Sequence, residues 1–202
     1  MLQIQTTSPE LLELLIKLMK DNFFQNFILV GGTSLALQIG HRNSIDIDMF
    51  GNQGINPKLF QEKLSEFGNI EVTQTTKNIF ISSINNVKVD FVNYKYPLLK
   101  NFTELNSIRL ASKEDIGAMK LNAILGRGSR KDFIDLYFLL KEFPLKQILE
   151  FYNQKYIDGS EFLVLKSLTY FEDADEQPQP QMFKPFNWEE CKQKIIEEVI
   201  KL

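Results

Sequence analysis

The sequence predicts an α+β fold, with a mixed β-sheet and flanking helices first and a C-terminal helical bundle after it. Three observations carry this expectation. Alternating, β-branched segments crowd the first half of the 202-residue chain, and helical periodicity takes over from Ser112. A short apolar run, Phe27–Val30, passes through Gly31–Gly32 into a short apolar helix before the next strand. Later strands follow one another as a meander, so the sheet mixes strand directions.

In order, Ser8 is an N-cap and Pro9 a first helical residue, opening a helix over residues 8–20. Leu11, Leu12, Leu15, Ile16 and Met19 give it an apolar stripe. After Phe27–Val30 and the glycine turn, a helix runs from Thr33–Ser34 to Ile39. The strand that follows places Ile45, Ile47 and Met49 on one face and Asp46 and Asp48 on the other, side by side at an exposed edge. Pro57–Phe67 is an amphipathic helix; residues 70–75, 78–83 and 87–94 are strands, with Asn85–Asn86 as a hairpin turn. Helices are expected over Glu114–Leu125, Arg130–Phe143, Lys146–Tyr156, Glu161–Phe171 and Trp188–Leu202, with Glu172–Lys184 as a surface loop. Residues 1–110 then form the core, and 111–202 a helical region packed on it.

Composition narrows the function. Net charge is −3, so nothing pulls the whole molecule toward nucleic acid, and an RNA substrate would need a local basic patch. Arg127, Arg130 and Lys131 are where basic residues gather. Seventeen Phe against one Trp point to core filling rather than base stacking. Cys191 stands alone, which excludes an intrachain disulfide and a zinc cluster. No apolar run approaches a membrane span and no basic leader opens the chain, so a cytoplasmic location is expected.

The chemistry centres on residues 31–48. Gly31 and Gly32 let backbone approach a ligand, and helix-start N–H groups with the Ser34 hydroxyl can hold phosphate oxygens. Adjacent carboxylates repel, and a hard cation such as Mg²⁺ or Mn²⁺ between Asp46 and Asp48 relieves that repulsion. Asp90 shares a strand face with Lys88. It is either a solvated strand aspartate or a third carboxylate that takes a metal or a proton. Lys120 is a surface lysine or a phosphate contact, and Arg42 steers phosphate or pairs with an aspartate. His41 reads as a structural hydrogen-bonder, and Trp188 and Cys191 as packing residues. Asp132 and Asp135 share a helix face, where they cap the helix or pair with Lys120, Arg127 or Lys131.

Four segments then carry a resemblance. GGTSLALQIGHRNSIDIDMF, residues 31–50, resembles the first motif of the AbiEii/AbiGii toxin family, a nucleotidyltransferase branch of the polymerase-beta-like fold. Lys88-Val-Asp90 is similar to its second motif, Met119–Arg127 to its third, and Lys131–Leu139 to its fourth. The resemblance implies a nucleotidyltransferase fold and Mg²⁺-dependent transfer of a nucleoside monophosphate from an NTP. It implies Asp46, Asp48 and Asp90 as metal ligands, with Asp90 also assisting the attacking hydroxyl. Gly31, Gly32, Ser34 and Lys120 fall on the nucleotide, with Asp132 and Asp135 beside it orienting Lys120. It also implies an RNA acceptor such as tRNA, a toxin–antitoxin or abortive-infection role, and a separately encoded antitoxin partner. Two alternatives stay open: transfer to a small molecule or protein hydroxyl, and a non-catalytic binding module with this fold.

Overall fold

The computed structural model describes all 202 residues, which divide into two units: Met1–Lys95 with Phe102–Ala111, and Tyr96–Asn101 with Ser112–Leu202. The segment 96–101 thus groups with the helices, although it lies ahead of residue 110 in sequence.

The first unit is built on a seven-stranded sheet. Its strands are β1 (Phe27–Leu29), β2 (Asp46–Gly51), β3 (Ile70–Thr75), β4 (Ile79–Ile84), β5 (Val87–Asn93), β6 (Thr103–Leu105) and β7 (Ile108–Leu110). They are ordered β3-β4-β5-β2-β1-β7-β6. β2 pairs with β5, and β1 with β7, in parallel; the other neighbours are antiparallel, which gives the expected mixed sheet. At the β4–β5 turn Asn85 and Asn86 have φ of 49° and 66°, the left-handed pair that matches strand twist in a two-residue hairpin. Asn106 and Ser107, at 51° and 64°, turn β6 into β7 in the same way. Neither of those strands is expected from the sequence, because three residues are too few for alternation to register.

One face of the sheet is buried against α1 (Pro9–Lys20) and α3 (Pro57–Ser65). Phe24, Phe27, Phe60, Phe80 and Phe91 fill it as a continuous ring cluster, with Phe24 stacked on Phe91 at 4.8 Å and Phe27 edge-on to Phe91 at 5.1 Å. Each such ring removed from water contributes about 1.5–3 kcal/mol, so the heavy use of Phe is core filling. On α1 the buried stripe is Leu11, Leu14, Leu15, Leu18 and Met19, while Leu12 and Ile16 are half-buried.

The second unit is helical: α4 (Lys113–Gly126), α5 (Arg130–Leu139), α6 (Leu145–Lys155), α7 (Glu161–Leu168), α8 (Glu172–Asp175) and α9 (Trp188–Ile200). Ser112 caps α4 by accepting from the Asp115 N–H at 3.0 Å. α4 packs on α5, α6 and α7, so Asp115, Ile116, Gly117, Ala118, Leu121 and Ile124 are buried, whereas Met119 and Ala123, which helical periodicity places on the same buried side, are half-buried. α5 stops at Leu139, four residues short of the expected end, and a turn leads to Pro144, which biases Phe143 away from helix. The expected surface loop contains α8, pinned where Asp175 accepts from Trp188 Nε1 at 2.6 Å and Lys192 Nζ at 3.0 Å. Lys155 and Asp115, both fully buried, pair at 2.7 Å. The same two side chains hold residues 97–100, since Lys155 donates to the Pro97 carbonyl and Asp115 accepts from the Leu99 and Lys100 N–H groups.

Candidate active site

β2 lies inside the sheet, between β5 and β1, and not at an edge as its exposed aspartates suggest. Its odd-numbered residues Ile47 and Met49 are fully buried on the aromatic face, so Asp46 and Asp48 are directed to the opposite face, where both are half-buried. The parallel register sets Asp48 against Asp90 and Asp46 against Lys88. Neighbouring strands lie about 4.8 Å apart, so three carboxylates and one ammonium share a small patch of sheet. Lys88 Nζ is 2.8 Å from Asp90 Oδ2. Asp90 Oδ1 is buried and has no hydrogen-bond partner.

The glycine turn is tied to this patch. α2 (Gly31–Ile39) begins at the glycines themselves, two residues earlier than expected. The Val30 N–H donates to the Asp48 carbonyl at 2.9 Å, and Gly31 has φ +69° with Asp48 Oδ2 lying where a Cβ would stand. At Gly32 the corresponding space is taken by Arg42 Nη2. Arg42 is nearly fully buried, and its Nη1 donates to the Asn43 carbonyl at 2.8 Å. The Thr33 hydroxyl donates to the Asp46 carbonyl and lies 2.8 Å from the Ser44 hydroxyl, fixing the entry into β2. Ser34 is fully buried and its hydroxyl accepts from Gln38 Nε2 at 3.2 Å. The open groups of this turn are therefore the half-buried Gly31 and Gly32, at a helix start whose first N–H groups have no intrahelical acceptor. His41 is fully buried.

The remaining candidates gather in the helical unit. Lys120, 5% exposed, reaches Asp132 Oδ1 at 3.0 Å and Asp135 Oδ2 at 2.6 Å, and both aspartates are fully buried. Asp132 also accepts from Ser129 Oγ at 2.7 Å and from Arg127 through Nε at 2.9 Å and Nη2 at 3.1 Å. Burial pushes the Asp132 carboxyl up. The Lys120 charge and the Arg127 and Ser129 hydrogen bonds outweigh it and hold the group well below the usual carboxylate range. Of the two cations on Asp132, Arg127 is the exposed one, at 68% of its side chain. Arg130 is engaged otherwise: it donates to the Gln177 carbonyl at 2.6 Å and lies 4.6 Å from the Trp188 ring centroid.

The chain matches the family described as nucleotidyl transferase AbiEii toxin, type IV toxin–antitoxin system, over residues 13–100 and 81–201. It belongs to this family. An uncharacterized protein of Aquifex aeolicus, aq_aa25, is 33% identical over 187 residues, covering 90% of each chain. Among solved structures, MenT4, a nucleotidyltransferase toxin from Mycobacterium tuberculosis H37Rv, is similar with a TM-score of 0.60 at 16% identity, over 96% of this chain and 83% of that one. JHP933 from Helicobacter pylori is similar with a TM-score of 0.57 at 16% identity, over 95% of this chain and 88% of that one. The fold is that of the nucleotidyltransferases, and the AbiEii-family protein is a nucleotidyltransferase.

All-oxygen donors suit Mg²⁺ or Mn²⁺, and the unbonded Asp90 Oδ1 beside Asp48 is a vacant acceptor of that kind. No three His, Cys, Asp or Glu side chains close into a ready-made metal cage. Mg²⁺ does not require one, since it is commonly held by one or two carboxylates with substrate phosphates and water completing the octahedron. The donor set fits. Sequence reasoning left four contributors without a role here: Thr33 and Ser44, which fix β2; Lys88, which pairs Asp90; and Ser129, which bonds Asp132. Only Lys88 carries a signal in sequence, through strand alternation beside Asp90.

Proposed function

We propose that this AbiEii-family enzyme moves a nucleoside monophosphate from an NTP to a hydroxyl of an RNA acceptor, tRNA being the candidate to try first. A divalent cation bound at Asp46 and Asp48, with Asp90 on the neighbouring strand, would polarise the α-phosphate and offset its charge. The acceptor oxygen forms a bond to the α-phosphorus, the α–β phosphoanhydride bond breaks, and pyrophosphate leaves. Asp90 takes the proton of the attacking hydroxyl. The N–H groups at Gly31 and Gly32 hold phosphate oxygens at the start of α2. Family resemblance gives Lys120 a phosphate contact; Asp132 and Asp135 hold its ammonium in place, and Arg127 supplies the exposed positive charge of that network. An antitoxin encoded apart from this chain is the partner that membership of a toxin family suggests.

The observation that carries this reading is the β2–β5 register, which sets Asp48 opposite Asp90 and Asp46 next to them, beside the glycine turn. Purified protein with Mg²⁺, each α-labelled NTP in turn and total tRNA tests it, with Asp46→Asn as the control. Label entering tRNA with wild type and falling at least about 100-fold in the variant is the expected outcome. Label on a small molecule or on protein instead would move the acceptor. No transfer and no NTP binding would leave a non-catalytic module.

A further inference from the structure

Lys88 stands among three carboxylates and carries the one cationic side chain that β2 and β5 contribute to this face. Its cross-strand partner is Asp46, and the partner of Asp48 is Asp90, two residues along the same strand face. The ammonium is 2.8 Å from Asp90 Oδ2, leaving Oδ1 buried without a bond. The Lys88 side chain is 51% exposed, and its flexible four-carbon stem can swing outward without opening the core.

We propose that Lys88 is a resident counter-cation of the carboxylate cluster, offsetting part of its charge before a divalent cation arrives and weakening that cation's binding by competing for the same oxygens. This rests on the metal-dependent reading above. The competing role for Lys88 is positioning: by bonding Asp90 Oδ2 it would hold that carboxylate in a binding rotamer. The two roles have opposite signs. A counter-cation opposes the incoming ion, so its removal tightens metal binding. A positioning lysine helps the ion, so its removal weakens binding.

The test titrates Mn²⁺ alone into the full chain, by calorimetry and by the electron paramagnetic resonance of free Mn²⁺. It uses wild type, Lys88→Met, Lys88→Gln and Lys88→Arg, with Asp48→Asn to identify the site. Lys88→Met and Lys88→Gln should bind Mn²⁺ on the order of tenfold more tightly, and Lys88→Arg should stay near wild type. Metal-free Lys88→Met should melt below wild type, and saturating Mn²⁺ should raise its Tm by more than it raises that of wild type. An affinity unchanged or weakened in both neutral variants overturns the proposal while leaving metal binding intact. Wild type that binds no Mn²⁺ sensitive to Asp48→Asn overturns the metal-dependent reading, and this one with it.

Discussion

A single carbon decides how Asp48 is placed. Gly31 sits at φ +69° with the Asp48 carboxylate in the space a side chain would use, so Gly31→Ala imposes both left-handed strain and overlap. The strain alone costs about 1–2 kcal/mol. Gly31→Ala should therefore melt several degrees below wild type and transfer nucleotide at least about tenfold more slowly, checked by thermal unfolding and a single-turnover assay. Asp132 makes a second case. Its pKa is depressed in the folded chain, so the stability it contributes is present above the unfolded carboxyl value, about 3.9. That stability is lost as pH falls toward the folded value. Asp132→Asn leaves Lys120 with Asp135 but strips Arg127 and half the buried pairing, and should cost about 3 kcal/mol near neutral pH. Denaturant melts from about pH 7 down to about pH 3 should show the gap between wild type and variant begin to narrow below the unfolded carboxyl value and stay open at the acid end, because the folded value lies lower still. Cys191 carries no such charge: burial pushes its thiol up to about 12, as suits a packing residue.

Elements differ in how clearly residues announce them. The β4–β5 hairpin was legible because Asn85–Asn86 falls between two alternating runs, and both asparagines do adopt left-handed backbone. They are not equivalent, since Asn85 Oδ1 also accepts from the Asn69 N–H at 2.9 Å. Asn86→Gly should thus stabilise the fold, since glycine takes left-handed backbone without a Cβ penalty and Asn-Gly is a preferred pair for this turn, whereas Asn85→Gly forfeits that hydrogen bond and should not; urea denaturation of both separates the cases. α4 was legible as a helix but not in its burial, because helices on several sides leave no polar stripe to read. β6 and β7, three residues each, are too short for alternation to mark them. The Asp46–Asp48 pair could be read from alternation, but its partnership with Asp90 depends on parallel register, which alternation alone does not set. Ser34 adds a contact that the sequence pattern does not announce: its buried hydroxyl accepts from Gln38 Nε2 one turn along the helix.

At the scale of the whole molecule, a chain of net charge −3 would meet the proposed RNA acceptor through few phosphates. Three basic residues gather around the start of α5, and the structure separates them. Arg130 is occupied by Gln177 and the Trp188 ring, whereas Lys131 is exposed and Arg127 presents an exposed guanidinium anchored on Asp132. Two phosphate contacts release about 0.7 counterion each from single-stranded RNA, so log affinity against log salt should have a slope of about −1.4. Filter binding to tRNA across a salt series measures it. Lys131→Glu should flatten the slope by about 0.7 without altering the melt, because Lys131 holds nothing in the fold. A slope steeper than about −4 would require an extended basic face that this acidic surface does not provide at α5. A slope of zero with transfer intact would point instead to an acceptor without phosphates, the small-molecule or protein hydroxyl that the acidic composition also suits.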